Sequence, residues 1–429
     1  MSPIQTRTRR EALAAIIATG FAPALLPSRL FGATAPSKQI TLGCIGVGSH
    51  GFGVNLKSFL NEPAARVAAV CDVFADRRER ARQAVNAAYK DDACKAVADF
   101  REIIADKSID AVVISTPDHW HVPISLLALE AGKDVFCEKP TLTIAEGREL
   151  AKAVEARKAV FQTGLEDRSL TRYHLLAELV RNGVIGTLRR IKVGLPPGVV
   201  FKKENPSTPP AGMDYNLWLG PAPWRPYDPV RVSSEGWRMI RDYSGGKLTD
   251  WGAHLIDTAQ VANGSEKTGP VDVEGHGETP KDALTDVPTR FNLRYRYANG
   301  VDMEVNGNGV LLRFEGDKGW IGNRGWEGPF EASDMALLHT RIDPAASKFW
   351  PRPPREHRNF LDCVISRRPT TYPAEDLQRL CTTLHLGSIA MSLGRKLRWN
   401  PETEGFINDP EADALRSRAS RNWEKVPPQ

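Results

Sequence analysis

An apolar run that ends in a glycine fingerprint constrains this chain more than any other feature. Ile40 to Val47 is largely apolar, as a parallel strand covered on both faces must be. It leads directly into Gly46-Val47-Gly48-Ser49-His50-Gly51, a G-x-G-x-x-G. In a strand–turn–helix unit the first glycine allows the tight turn and the second lets a pyrophosphate approach the backbone. The third packs helix against strand. A helix over about 53–61 would aim its N-terminal N–H groups at the phosphates. The next apolar run, Arg66 to Val73, carries Asp72, an acid about 20 residues past the glycines, where a ribose-binding carboxylate belongs. Together these predict a dinucleotide site in which Asp72 takes the adenosine ribose hydroxyls and repels a 2′-phosphate. That pattern favours NAD. Arg77 and Arg78 follow closely and could support NADP, although a solvated helix face accounts for them as well.

Strand and helix patterns continue to alternate. Helices are expected over 79–88, 100–104, 123–131 and 144–157, and strands over 111–115 and 134–137. Alternation at this pitch gives an α/β Rossmann-type, doubly wound parallel sheet, with ligands beyond the carboxyl ends of its strands. Two of those ends carry polar clusters: Thr116-Pro117-Asp118-His119-Trp120-His121 and Glu138-Lys139-Pro140. Lys139 sits at a strand end before a proline that stiffens the backbone, so its ammonium is expected in the crevice. The first of these clusters reads equally well as a polar lead-in to the helix opened by Pro123, with His119 exposed.

After about residue 165 the texture changes. A helix over 173–182 is followed by strand patterns at 187–193, 290–297, 301–306, 310–314 and 320–321, several separated by turns such as Asn299-Gly300. These predict an α+β domain with a large open, mostly antiparallel sheet. The expected division is 36–163 for the nucleotide-binding domain and 164–429 for the second. Helices over 356–366 and 374–393 should pack back onto the body. The Pro-rich stretch 196–229 is a candidate loop over the site. Trp218, Trp224, Trp237 and Tyr243 could stack on sugar faces, with core packing the commoner fate. A further helix, N-capped by Thr249 and ending at Asn263-Gly264, would carry Asp250, His254 and Asp257 at i, i+4 and i+7, on one face. An acid one turn from a histidine can orient the ring as a general base.

With these motifs in this order the chain resembles the Gfo/Idh/MocA oxidoreductases, the family of glucose–fructose oxidoreductase and inositol dehydrogenase. The resemblance runs from about residue 39 to the C-terminus. It rests on the fingerprint, Thr116-Pro117 with His121, Glu138-Lys139-Pro140 and Gly245-Gly246-Lys247-Leu248-Thr249-Asp250-Trp251-Gly252-Ala253-His254-Leu255-Ile256-Asp257. Trp218-Leu219-Gly220-Pro221 and Trp399-Asn400-Pro401-Glu402 look like the exported branch. It implies an NAD(P)-dependent enzyme that oxidises a hydroxyl of a sugar, polyol or glycoside by hydride transfer. Lys139 would stabilise the alkoxide, His254 take the proton and Asp250 orient His254. Gly46, Gly48, Ser49, His50, Gly51, Asp72, Thr116, Pro117, Asp118, His121, Glu138 and Lys139 would lie against the cofactor, the His50 side chain facing solvent. Arg168, Asp250 and His254 would hold the substrate. The second domain's sheet commonly joins subunits in this family, so a homodimer or homotetramer is expected.

One segment departs from the pattern. The branch usually reads Gly-Thr-Gln-Gln-Arg-Ser where this chain has Gly164-Leu165-Glu166-Asp167-Arg168-Ser169. The two acids are expected to take substrate hydroxyls, and Arg168 to anchor substrate oxygens or pair with Glu166. Two other functions stay open: an exported enzyme that recycles a tightly bound cofactor in sugar–sugar redox or glycoside cleavage, and a non-catalytic NAD or sugar sensor.

The N-terminus speaks for export. Arg9-Arg10 precede an apolar stretch, 14–26, broken by Gly20 and Pro23. This reads as a twin-arginine-type signal over 1–35 and a periplasmic destination. No run elsewhere approaches the roughly 20 apolar residues of a membrane span. The 57 Lys+Arg against 52 Asp+Glu leave a diffuse +5, which argues against nucleic acid. The six cysteines form no CxxC pair and show no metal-ligand spacing. Cys44, Cys71 and Cys137 fall inside expected strands, as small buried hydrophobes. No metal is expected, and His174, His276, His339, His357 and His385 are read as structural or exposed.

Overall fold

The computed structural model describes residues 39–203 and 206–423; the expected export signal lies outside them. Strands β1 (Ile40–Ile45), β2 (Ala65–Cys71), β3 (Lys95–Val97), β4 (Ala111–Ile114), β5 (Asp134–Glu138) and β6 (Phe161–Gly164) form one parallel sheet in the order β3-β2-β1-β4-β5-β6. Every residue of β4 and β5 is buried, which explains the unbroken apolar run of β4 and of residues 135–137 in β5. The order reverses between β1 and β4, so their carboxyl ends splay apart and open a crevice. The glycine turn leaves β1 there, and Thr116-Pro117 follows β4.

The chain then builds a nine-stranded sheet from β7 (Leu188–Gly194), β8 (Asp272–Glu278), β9 (Arg290–Arg296), β10 (Asp302–Asn306), β11 (Leu311–Gly316), β12 (Trp320–Arg324), β13 (Phe330–Ala332), β14 (Leu397–Asn400) and β15 (Gly405–Phe406). Only β7 and β10 run parallel; the other neighbours are antiparallel. Both sheets match the expected fold class. Helices Thr171–Arg181, Gly252–Asn263 and Ala374–Leu393 gather on one face of the larger sheet and bury its alternate residues. On the other face Arg294 and Arg296 of β9 each pair with Asp302 of β10 at 2.9 Å. The face expected to join subunits is therefore lined with paired charges. All six cysteines are free and buried. No helix among the described residues is long and apolar enough to cross a membrane.

Candidate active site

A cavity of about 640 Å³ opens at the β1/β4 crevice and extends to helix Gly252–Asn263. All of the residues expected at the cofactor line it, as do Asp250 and His254; Arg168 does not.

At its first end the glycine turn is sterically required. Gly46 has φ +82°, and a Cβ there would stand 2.7 Å from the Ser115 carbonyl carbon and oxygen. A Cβ on Gly51 would meet the Gly46 carbonyl oxygen at 2.0 Å. Gly48 is different: its Cβ would meet only the Arg77 guanidinium, at 3.5 Å. No packing demands glycine there, and its absent side chain leaves bare backbone facing the cavity. Asp72 is fixed by the same turn, its Oδ2 accepting from the Val47 N–H and its Oδ1 from the Phe74 N–H, each at 3.0 Å. Burial pushes this carboxyl up, against the pull of those N–H groups and Arg77. Arg77 stacks on Phe74 at 3.7 Å and lines the cavity, while Arg78 donates to the Asp72 carbonyl at 3.2 Å. Neither belongs to a purely solvated face. Arg80 also lines the cavity; its i+3 spacing from Arg77 was the available signal.

The middle of the cavity is a network of fixed groups. His121 bridges the two strand-end loops, with Nδ1 2.8 Å from the Pro140 carbonyl and Nε2 2.9 Å from that of Thr116. Asp118 accepts from the Ser244 hydroxyl at 2.6 Å, and burial pushes it up to about 7. Glu138 faces the His50 Nε2 at 3.0 Å and accepts from the Asn55 amide at 2.8 Å. Burial alone would raise it, but His50, Asn55 and Lys139 outweigh that and hold it at about 2. His50 is half exposed, as expected, yet its inner nitrogen is engaged. Asn55 is held in turn by His357 at 2.8 Å. Asn55 was not found in the sequence, because it has no motif of its own; His357, read there as structural or exposed, is buried. His119 corrects the expectation of an exposed side chain. It is buried against the Trp218 carbonyl at 2.9 Å, beneath Trp218 and Tyr243. Trp218 and Trp237 line the cavity from the same buried cluster, and Trp224 is exposed.

At the far end Lys139 donates to the Asp250 carbonyl at 2.8 Å and to its Oδ1 at 3.0 Å. Arg238 and Lys247 face the same carboxylate at 3.4 and 3.8 Å. Burial works against both charges, but Asp250 and Glu138 keep the Lys139 ammonium above its ordinary value, and the surrounding cations keep Asp250 below its own. His254 is pushed down to about 4 by burial and then by Lys139.

Three expectations are corrected here. Asp250 does not orient His254. Thr249 caps no helix, its hydroxyl instead lying 3.3 Å from the Gly246 carbonyl. Lys247–Asp250 form a separate turn before helix Gly252–Asn263, so Asp250 swings toward the end of β5. The acid on the His254 Nδ1 is Asp167, at 2.8 Å, with Glu166 at 3.9 Å. Arg168 anchors no cavity ligand. Its guanidinium is spent on Asp257, Asp376 and the Thr371 carbonyl and stacks on Tyr372. Glu166, Asp167 and His254 are also the one group among the described residues with cation-like spacing, within 4.8 Å. Within that group His254 and Asp167 are joined by the 2.8 Å hydrogen bond, and Glu166 stands apart at 3.9 Å.

Residues 40–165 match the Gfo/Idh/MocA model described as oxidoreductase family, NAD-binding Rossmann fold. Residues 174–425 match the model described as oxidoreductase family, C-terminal alpha/beta domain. The chain belongs to the Gfo/Idh/MocA oxidoreductase family. Among curated relatives it is similar to an inositol 2-dehydrogenase of Rhodococcus jostii, 32% identical over 35% of this chain and 40% of that protein. It is also similar to a glycosyl hydrolase family 109 protein of Stenotrophomonas maltophilia, 31% identical over 50% and 48%. The matches span 33% to 56% of the curated relatives' lengths. An aldose-aldose oxidoreductase structure from Caulobacter crescentus shares the fold, with a TM-score of 0.62 at 20% identity over 84% of this chain and 100% of that one. The NAD-binding domain of this family member fits a dinucleotide on its own geometry. The bare backbone at Gly48 lies open beside Arg77, and Asp72 stands at the end of β2.

Proposed function

We propose that this chain is an NAD-dependent oxidoreductase that oxidises a hydroxyl of a sugar, polyol or glycoside, with Lys139 and His254 acting on the reacting oxygen. The observation that carries this is convergence: an ammonium from the end of β5 and an imidazole from helix Gly252–Asn263 line the cavity onto which the glycine turn opens. Bound NAD would accept the hydride. Lys139, held charged by Asp250, donates to the oxygen as negative charge develops on it. His254, neutral near pH 7, takes the hydroxyl proton. Glu166 lines the cavity beside His254 and can accept from a neighbouring hydroxyl. The curated relatives, an inositol dehydrogenase among them, support the substrate class.

The test is absorbance of reduced nicotinamide on adding a panel of sugars, polyols and glycosides to purified protein. A signal that needs added NAD is the expected outcome. A signal without added NAD means the cofactor stays bound through turnover, as an exported enzyme would require. NAD binding with no absorbance change across the panel overturns the proposal.

Asp72 supplies a prediction at the other end. Asp72→Ala removes the carboxylate that repels a 2′-phosphate and leaves Arg77 and Arg80 facing the cavity. The NAD-to-NADP affinity ratio, measured by fluorescence titration, is expected to fall by about tenfold or more, on the order of one close charge interaction. An unaltered ratio takes Asp72 out of the site.

A further inference from the structure

We propose that Asp167 is the positioning residue for His254: its carboxylate accepts the hydrogen on Nδ1, so that the ring presents its Nε2 lone pair to the cavity. This rests on the reading of His254 as the proton acceptor and assigns the acid that makes it one.

Asp167 does not face substrate. Its side chain is 0% exposed and is absent from the cavity lining, whereas the His254 ring is 16% exposed and lines it. The 2.8 Å contact to Nδ1 is its one side-chain hydrogen bond among the described residues. Glu166, at 3.9 Å and on the cavity wall, is too far to replace it. The backbone around Asp167 is fixed, with the N–H groups of Ser169 and Leu170 both returning to the Glu166 carbonyl, at 2.8 and 3.0 Å. Trp326 packs edge-on against the ring at 5.0 Å. The ring is thus clamped between one acceptor and an aromatic edge.

The chemistry needs this acceptor. When the substrate O–H bond breaks and an Nε2–H bond forms, the ring becomes a cation in a buried site that already holds the Lys139 ammonium. Glu138, Asp250 and Glu166 also face it, while burial and then Asp257 push the Asp167 carboxyl well up, against the pull of Lys139. A carboxylate in hydrogen-bond contact offsets that new charge far better than acids across the cavity. The sequence expectation that both acids take substrate hydroxyls therefore divides: Glu166 remains on the wall, and Asp167 stands behind the ring.

Asp167→Asn tests the assignment. An amide can donate to Nδ1, which forces the ring hydrogen onto Nε2 and removes the lone pair from the cavity. In the serine-protease triad the same exchange costs about 10⁴-fold in kcat. Here kcat is expected to fall roughly 10²–10⁴-fold, with KM and the NAD Kd each within about threefold. The independent readout is ¹⁵N NMR of histidine-labelled protein without cofactor, with His254 assigned by the signal lost in His254→Asn. The wild-type ring is expected to carry its hydrogen on Nδ1, and the variant on Nε2. Wild-type kcat in Asp167→Asn, or a wild-type ring with bare Nδ1, overturns the proposal. The wild-type spectrum decides alone if the variant fails to bind NAD. Full turnover in His254→Asn, by contrast, overturns the proton-acceptor reading itself.

Discussion

Lys139→Ala is expected to lower kcat/KM by at least about 10²–10³-fold, the usual effect of removing one donor from a developing oxyanion, while NAD still binds. The size follows from what Lys139 is in this site. A buried lysine ordinarily loses its charge and becomes a candidate base. Here Asp250 accepts from it at 3.0 Å and Glu138 lies on the adjoining residue, and together they raise its pKa despite the burial. It stays an ammonium, so it can donate and neutralise but cannot take the hydroxyl proton. Loss of the side chain does not strand Asp250, because Arg238 and Lys247 remain at 3.4 and 3.8 Å. The variant should therefore fold, and titration with NAD reads that directly. The adenosine end, built by Gly46, Gly51 and Asp72, is untouched. Turnover within tenfold of wild type, measured by reduced-nicotinamide absorbance, would sink the role given to Lys139.

Local pattern revealed as much of this molecule as local physics determines. The helices expected over 356–366 and 374–393 form over those same residues. Each repeats its apolar side chains at helical spacing, and Pro373 and Gly394 bracket the second. Four of the parallel strands, β1, β2, β4 and β5, are legible because burial on both faces favours apolar runs; β6, Phe-Gln-Thr-Gly, is fully buried but carries no such run and was not expected. β8 is not legible. It reads Asp-Val-Glu-Gly-His-Gly-Glu, with Val273 its only fully buried residue, and it is held by pairing with β9 and β14 rather than by its own composition. β3 has three residues and none fully buried. The site divides in the same way. That the strand-end motifs face the cavity was readable, because such ends point there, although Arg168 does not line it and Arg80, which does, was not expected. Which acid partners which base was not, since spacing along a helix says nothing once the helix is broken. The break between Asp250 and Gly252 turned the expected i, i+4 pair into two pairs with distant partners, Lys139 and Asp167.

Arg168 gives the largest expected effect on stability. Its guanidinium is 5% exposed and makes two ion pairs, to Asp257 at 2.9 Å and Asp376 at 2.7 Å, with both carboxylates almost fully buried. Such a network is not itself strong evidence of net stabilisation, because desolvation offsets most of the attraction. Removing its centre is another matter. Arg168→Met leaves a side chain of similar reach but abandons two buried carboxylates, and breaking a buried pair typically costs about 3–5 kcal/mol. Some of that is recovered: Tyr372 donates to Asp257 at 2.6 Å, and Lys267 still pairs with Asp376. The midpoint of urea unfolding is expected to fall, with the substrate KM and the NAD Kd nearly unchanged, since Arg168 is not part of the cavity wall. The opposite pattern, unchanged unfolding with a KM raised tenfold or more, would restore Arg168 as a substrate anchor. The two roles separate cleanly because they draw on different atoms. An anchor needs a free N–H edge toward the cavity, whereas here the Nε, Nη1 and Nη2 groups are each already committed to Asp257, Asp376 or the Thr371 carbonyl.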